Sequence, residues 1–214
     1  MNLSRRDVIS NPDGDPARQR RPKRDEVRDR LIDGAALAFA EKGFAGASID
    51  LICKKAGFSR GAFYSNFDDK DALFFALYDR RTDRLWARMS EIAQAAQNAS
   101  DPLAKLTELL ARPDADELRW DVLNKEFIIH ALRNPEARAQ LLASRTESRA
   151  RLAQILTGLR PDLIDDPAKL DRFCRFIIAL HEGELTQIGL DSSLADTPSL
   201  LSEFIPVVLA ASKQ

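Results

Sequence analysis

The chain has 214 residues, which is enough for one medium-sized domain or for a small domain packed against a larger one. Hydrophobic residues make up 44% and charged residues 30%, and the net charge of -1 excludes a protein that coats nucleic acid through overall basicity. No apolar run reaches the roughly 18 residues that a membrane span requires, so we expect a protein without membrane contact.

The first 24 residues form a polar segment that contains three prolines and one glycine. This composition is typical of a disordered chain, because it offers little apolar surface to bury. Seven basic residues stand in the segment against three aspartates. The segment is therefore either a solvated tail or a basic arm that lies along DNA phosphates, and the sequence leaves both interpretations open.

Three helices with brief connections are predicted next. Apolar residues at steps of three and four predict the first helix over 25–42. Ser48 can cap a second helix that ends near Ala56, and Ser59 can cap a third that ends near Asn66. A glycine between the second and third helices permits a tight turn, so the pair has the arrangement of a helix-turn-helix, whose second helix enters the major groove.

The remainder of the chain is predicted to be helical. A long fourth helix, capped by Asp68, runs from Lys70 past Trp86. Thr197 and Pro198 fit the cap and the first position of the last helix. Helices bounded by prolines and glycines are predicted over 102–112, 115–133, 135–158, 168–189 and 198–212. No segment has the alternation of a strand, so we expect an all-α fold.

The run LIDGAALAFAEKGFAGASIDLICKKAGFSRGAFYSNFDDKDALFFAL, residues 31–77, resembles the N-terminal domain of the TetR family. Residue type and spacing agree at Ala35, Phe39, Gly43, Phe44, Ser48, Ile49, Ile52, Ala56, Gly57, Ser59, Gly61, Tyr64, Phe67, Lys70 and Leu73. The resemblance implies a helix-turn-helix domain over 25–70 and an effector-binding and dimerisation domain over 71–214, which follow the disordered basic N-terminal segment over 1–24 that the composition predicts. Gly34 departs from the pattern, and inside a helix it costs up to about 1 kcal/mol relative to alanine.

The resemblance also implies contacts to double-stranded DNA. The residues at the matching positions are Ser48, Ser59, Arg60, Gly61, Ala62, Tyr64, Asn66 and Lys70. Ser48, Asn66 and Lys70 are expected at phosphates, which would fix the register of the protein on the duplex. Arg60 is expected to pair bidentately with a guanine edge, and Tyr64 to contact a thymine methyl group or a phosphate. Outside this motif, Tyr64 would be an ordinary surface aromatic residue and Lys70 an ordinary helix charge.

The spacing of the phenylalanines supports this interpretation independently. Phe63 and Phe67 lie one helical turn apart, so both are expected to face a small core with Phe39 and Ile52. The opposite face of the third helix, which carries the Arg60 to Tyr64 positions, is then left for DNA.

Several large or polar residues of the second domain are candidates for lining an effector cavity, because drug-sized cavities combine apolar walls with a few polar groups. These candidates are Trp86, Met89, Trp120, Asn124, Phe127, His130, Phe176 and His181. For any single one of them, plain core packing is the competing interpretation.

The run LDRFCRFIIALHEGELTQIGLD, residues 170–191, resembles the first dimer helix of the family, and residues 198–210 would form the second. Two such helices from each subunit would build a four-helix interface. The residues expected there are Phe173, Ile177, Leu180, Gly183, Phe204, Val207 and Val208. Glycine at 183 would let two helices approach closely.

The residue types that carry catalysis or bind metals are scarce. The two cysteines, Cys53 and Cys174, have neither metal-site spacing nor the number for a disulfide framework, which favours a reduced, cytoplasmic setting. The two histidines form no zinc-protease motif, and no phosphate-binding loop or nucleophile elbow is present. We therefore expect no catalytic residue, no cofactor and no metal.

These observations predict a homodimeric TetR-type regulator, a repressor that a small, partly apolar effector releases from a palindromic operator. The fourth helix joins the two domains and is the expected lever, with the effector shifting the population of two arrangements. The alternatives are an activator, a regulator without a small effector, and a helical small-molecule-binding protein that no longer binds DNA.

Overall fold

A computed structural model describes residues 23–110, 113–161 and 166–211. These residues form nine α-helices and one short 3-10 helix, and they contain no β-strand, so the all-α prediction is confirmed. In chain order the helices are α1 (Arg24–Gly46), α2 (Ile49–Ala56), α3 (Arg60–Tyr64), α4 (Lys70–Ala96), α5 (Pro102–Leu110), α6 (Ala115–Arg133), α7 (Pro135–Leu159), α8 (Pro167–Leu190), the 3-10 helix (Ser192–Asp196) and α9 (Leu200–Ala211). The predicted basic arm lies outside the described residues except for Lys23 and Arg24.

The first three helices and the start of α4 surround one hydrophobic core. The predicted core residues Phe39, Ile52, Phe63 and Phe67 are all buried in it. The core does not stop at residue 70. It continues along α4 from Leu73 to Tyr78 and takes in residues of α6 and α7, among them Phe127 and Leu141.

Helix α1 passes very close to α2, and Gly34 is the residue at the crossing. A Cβ atom at position 34 would lie 2.8 Å from the amide nitrogen of Ala56 and 2.9 Å from the carbonyl oxygen of Ile52. The glycine therefore allows a backbone approach that no side chain would permit. Farther along α1, Gly43 has φ 69° and ψ 173°, so the helix is interrupted there before its last residues.

Helix α4 connects this core to a second one. Its N-terminal half packs in the first core, while Met89 and Ala93 lie in the second core with residues of α5, α7, α8 and α9. The side chain of Asp69, not the predicted Asp68, caps α4 and accepts a hydrogen bond from the backbone N–H of Ala72 at 2.7 Å. Helix α4 therefore links the two cores, as does α7, which contributes Leu141 to the first core and Leu156 to the second.

The last helix begins later than predicted. It starts at Leu200, and the hydroxyl of Ser199 accepts the N–H of Leu201 at 3.2 Å. Thr197 instead ends the 3-10 helix, because its hydroxyl donates to the carbonyl oxygen of Leu194. The carboxylate of Glu184 on α8 accepts the N–H of Leu200 at 2.6 Å and so ties α9 to α8.

None of the helices in the described ranges combines the length and the apolar character that crossing a membrane would need.

Candidate nucleic-acid interface

The turn between α2 and α3 presents α3 on the surface. Gly57 adopts the left-handed conformation, with φ 73° and ψ 34°, which side chains disfavour and glycine permits. The N–H of Phe58 then donates to the carbonyl oxygen of Cys53 at 3.0 Å. The guanidinium of Arg30 on α1 donates to the carbonyl oxygen of Ala56 and lies over the ring of Phe58. The end of α2 and the start of the turn are thereby held by α1.

Helix α3 divides into a buried side and an exposed side. Phe63 is completely buried, whereas Arg60, Gly61 and Tyr64 are exposed, with 50% of the Tyr64 surface open to solvent. Ala62 is half-buried. The exposed residues are among those expected at base edges, and Tyr64 lies on the same face as Arg60 and Gly61 because it follows them by four and three residues, about one helical turn.

The exposed face is organised by a set of hydrogen bonds around Arg60. Its Nη1 atom lies 3.3 Å from both carboxylate oxygens of Asp50, in the first turn of α2. Its Nη2 atom donates to the Tyr64 hydroxyl at 3.4 Å. Asp50 was not among the predicted site residues, although an acidic residue in a first helical turn beside a basic face was visible in the sequence.

Ser48 and Ser59 act as the N-caps of α2 and α3. The Ser48 hydroxyl oxygen accepts the N–H of Leu51, and the Ser59 hydroxyl oxygen accepts the N–H of Ala62, both at 3.2 Å. Both serines are exposed. Since the cap uses each hydroxyl only as an acceptor, the O–H group can still donate a hydrogen bond.

Asn66 and Lys70 are placed differently from the other predicted contact residues, because the structure uses their donors internally. The side-chain amide of Asn66 donates to the carbonyl oxygen of Ala62 at 2.8 Å. The ammonium of Lys70 lies 2.7, 3.4 and 3.2 Å from the carbonyl oxygens of Phe44, Ala45 and Ala47. Partial burial lowers the pKa of Lys70 below its usual value.

Three arginines near the start of α1 add to this surface. Arg24 belongs to the predicted basic segment, whereas Arg28 and Arg30 were not singled out from the sequence. Arg24 donates to the carbonyl oxygen of Ser65, and Arg28 donates to that of Asn66 while its guanidinium lies over the ring of Phe67. They hold the C-terminal end of α3, as Arg30 holds that of α2. Sequence alone could not assign these partners, which lie 26 to 41 residues away.

The predicted effector residues do not form one group. Phe127 is completely buried in the first core, where its ring stacks on Phe74 with centroids 3.7 Å apart. The ring of Trp120 also stacks on Phe74, with centroids 5.9 Å apart, and the Arg81 guanidinium lies over the Trp120 ring. Packing between α4 and α6 thus accounts for both aromatic residues.

His130 belongs to the same junction. Its Nε2 atom lies 2.7 Å from a carboxylate oxygen of Asp71 on α4, and its ring is 4.9 Å from that of Phe44. One turn earlier on α6, the Glu126 carboxylate accepts the N–H of Phe44 at 2.5 Å. A Cβ atom at Gly43 would meet that carboxylate at 2.5 Å. Helix α6 therefore holds the end of α1 directly.

Trp86, Met89 and Phe176 belong to the second core. Met89 is buried, whereas Trp86 also lines an open groove of about 500 Å³ between α4 and α7. The other residues along the groove are Asp83, Ala87, Ser90, Arg151, Gln154 and Ile155. Of the predicted effector residues, only Trp86 lines this groove.

Asn124 lies on α6, and His181 lies on α8. Asn124 is buried, and its Oδ1 atom has no hydrogen-bond partner among the described residues. His181 lies 3.3 Å from the carboxylate of Glu117. Nearby, Lys125 pairs with the buried Asp121 and donates to the carbonyl oxygen of Glu182. The Oδ1 atom of Asn124 is therefore an acceptor that the described residues do not use.

The predicted dimer residues are partly exposed, with one exception. Phe204 and Val207 on α9 are exposed, at 42% and 60%, although both are apolar. Ile177, Leu180, Gly183 and Val208 are half-buried, and a Cβ atom at Gly183 would meet nothing within 4 Å. Phe173 is the exception, because its side chain is buried in the core of its own subunit and offers no surface to a second copy.

Within the described ranges, no three histidine, cysteine, aspartate or glutamate side chains come together in a way that would hold a metal ion.

Comparisons with known proteins agree with this architecture. Residues 31–77 match the family model described as bacterial regulatory proteins, tetR family. A transcriptional repressor of Mycobacterium tuberculosis is 32% identical over 145 residues, which cover 65% of this chain and 72% of the relative. A TetR-family transcriptional regulator from Rhodococcus superposes with a TM-score of 0.71 at 22% identity, covering 86% of this chain and 99% of the other. The multidrug binding protein EbrR, in complex with ethidium, superposes with a TM-score of 0.61 at 24% identity, covering 90% and 99%.

Proposed function

This chain belongs to the TetR family of bacterial regulatory proteins, and from that membership we propose that it is a cytoplasmic repressor that binds a palindromic operator as a homodimer until a small effector releases it. The single observation that carries the DNA-binding part is the exposed Arg60, Gly61 and Tyr64 face of α3, anchored by the buried Phe63. A guanidinium, a glycine backbone and a phenol on one exposed helix face suit the base edges of a major groove.

Two alternatives fit the same fold. An activator would use the same DNA-binding surface. A helical small-molecule-binding protein without DNA affinity would have no use for an exposed arginine and tyrosine beside two capped helix starts. The intact face around Arg60 and Tyr64 therefore supports DNA binding over the second alternative.

The DNA-binding proposal predicts that the wild-type protein selects a duplex site from a random pool, and that its affinity falls steeply with salt because phosphate contacts release counterions. Replacing Arg60 with alanine should weaken operator binding by about fivefold to 150-fold, since a bidentate arginine–guanine pair discriminates by about 1–3 kcal/mol. Fluorescence anisotropy with the selected site measures this loss.

Arg88→Ala is the matched control, because Arg88 is also exposed but lies on the part of α4 that runs along the second core. It should bind the operator like the wild type. Failure of the wild type to select any duplex would exclude the DNA-binding proposal, and equal losses for both variants would exclude the assigned role of Arg60.

The exposed apolar residues of α9 and the half-buried face of α8 support the homodimer. Phe204 and Val207 would be covered by a second copy, and the open space above Gly183 would admit a facing helix. A two-fold arrangement would place two copies of α3 about 34–36 Å apart, which is one turn of DNA.

Release by an effector requires that the two cores be coupled. Helix α4 packs in both cores. Helix α6 holds the end of α1 through the hydrogen bond from Phe44 to Glu126, and it holds the start of α4 through the contact between His130 and Asp71. A ligand that shifts α6 or α4 would therefore change the orientation of α1 to α3. The unpartnered Oδ1 atom of Asn124 favours an effector that is largely apolar and carries one hydrogen-bond donor. The multidrug binding protein EbrR, which has the same fold, holds ethidium, and this supports a small-molecule effector.

A screen for small molecules that raise the melting temperature of the wild type would identify candidate effectors. Each effector should lower the affinity for the operator by some factor, and the operator should lower the affinity for that effector by the same factor. Replacing Glu126 with alanine should reduce this mutual factor, because it removes the hydrogen bond from Phe44 that joins α6 to the end of α1. Calorimetric titrations with and without operator measure the factor. A ligand that binds tightly and leaves operator affinity unchanged would refute release by that ligand, and an unchanged factor in Glu126→Ala would refute the coupling role.

A further inference from the structure

A negative charge on α2 lies beside the exposed face of α3, and DNA binding alone does not explain it. Asp50 lies in the first turn of α2, two residues after the Ser48 cap, and its carboxylate is 3.3 Å from Nη1 of Arg60. Both side chains are exposed, at 66% and 57%. A carboxylate at this place faces the same solvent region as the proposed DNA contacts, where it would repel phosphates.

The pair gains little for folding. Exposed ion pairs stabilise proteins by roughly 0–1 kcal/mol, because water screens them and ordering two side chains costs entropy. The start of α2 is already capped by Ser48, so the helix does not depend on Asp50. A role in recognition is the better explanation for a carboxylate in this position.

The geometry around Arg60 indicates what that role is. A guanidinium has five N–H donors, of which the Asp50 carboxylate takes one on Nη1 and the Tyr64 hydroxyl takes one on Nη2. Three donors remain, and a bidentate pair with guanine needs two. Asp50 on α2 and Tyr64 on α3 thus hold the guanidinium in one orientation before DNA binds. The Arg60 side chain therefore loses less conformational entropy on binding.

We propose that Asp50 determines specificity at this surface: it orients Arg60 for a guanine edge and makes phosphate-only binding less favourable. This inference rests on the proposed DNA-binding function. Without Asp50, the arginine would be free to turn to the nearest phosphate, and affinity would become less dependent on sequence. With Asp50 present, a duplex that lacks the guanine is repelled by the carboxylate, and no pair between Arg60 and guanine offsets that repulsion.

The test compares Asp50→Asn with Asp116→Asn. Asp116 lies at the start of α6, away from α2 and α3, and it pairs with Arg81 of α4. Its replacement therefore also removes a carboxylate that pairs with an arginine. A site is first selected from a random duplex pool with the wild type. Affinities of all variants are then measured for that site, for versions with each base pair changed, and for an unrelated duplex.

Asp50→Asn should bind the unrelated duplex roughly threefold to tenfold more tightly, since one repulsive charge is lost near the phosphates. The preference for guanine at one position of each half-site should fall by about fivefold or more. In a background that already carries Arg60→Ala, Asp50→Asn should leave base preference unchanged and still tighten binding to the unrelated duplex, because only the charge effect remains. Asp116→Asn should match the wild type in both measurements.

Asp50→Asn that matches Asp116→Asn in both measurements would overturn the inference and leave the proposed function in place. Weaker binding of Asp50→Asn to every duplex would also overturn it, since the carboxylate would then assist binding in general. A wild-type protein that selects no site would remove the proposed function and this inference together.

Discussion

Replacing Phe127 with alanine should lower the free energy of unfolding by about 3–5 kcal/mol, as expected when a completely buried phenylalanine is truncated. The ring stacks on Phe74 and meets Phe44 and Phe75 edge-on, with centroids 4.9 and 5.0 Å away. These partners come from α1 and α4, so neither helix can close the cavity without moving the other. Chemical denaturation followed by circular dichroism measures the change at fixed protein concentration.

Two further variants make this result interpretable. Phe127→Leu keeps most of the apolar volume and should cost much less than the alanine variant. Leu142→Ala removes an exposed leucine on α7 and should leave the free energy of unfolding nearly unchanged. If the Phe127→Ala protein were as stable as the wild type, Phe127 would line an open cavity, as expected of an effector-binding residue. Its contacts with Phe44, Phe74 and Phe75 would then not hold α6 to α1 and α4.

The second large effect concerns Gly34, where the structure reverses the sign expected from helix propensity. Replacing a glycine inside a helix with alanine normally raises the free energy of unfolding by up to about 1 kcal/mol. At position 34 the new Cβ atom would lie 2.8–2.9 Å from backbone atoms of α2, which cannot move aside as a flexible side chain would. We expect Gly34→Ala to lower the free energy of unfolding by about 1–3 kcal/mol, and Gly34→Val by more, through overpacking.

Gly158→Ala is the matched control, because Gly158 lies in α7 and an added Cβ atom there would meet nothing within 4 Å. It should be neutral or stabilising by up to about 1 kcal/mol. Thermal unfolding of the two variants side by side separates the explanations. A stabilised Gly34→Ala protein would show that α1 and α2 do not approach as closely as described.

The features of the α2 and α3 surface were accessible from sequence because they are local. Caps at Ser48 and Ser59, a glycine in the turn and a phenylalanine spacing of four residues all act within one or two helical turns. They specify the helices and which side of α3 faces outward. The same locality explains the errors at helix starts: Asp68 and Asp69 are equally suitable caps by residue type, and only the position of α4 on the core decides between them.

Residues whose roles depend on distant partners could not be assigned in the same way. Lys70 has the spacing of a phosphate contact, but the end of α1 offers it three carbonyl oxygens across more than twenty residues of sequence. Phe127 and Trp120 have the composition of a ligand cavity, yet α4 supplies the aromatic partners that fill it. Phe173 has the periodicity of a dimer face and turns instead into its own core.

By itself, the amino-acid sequence determined the all-helical class, the helix-turn-helix and the exposed position of Arg60 and Tyr64, since hydrogen bonds and turns between near neighbours control them. Only the tertiary structure decided that Gly34 is required, that Asp50 holds Arg60 and that Glu126 joins α6 to α1. These contacts form between segments whose approach depends on the packing of the whole chain, and no spacing within a single helix encodes such an approach.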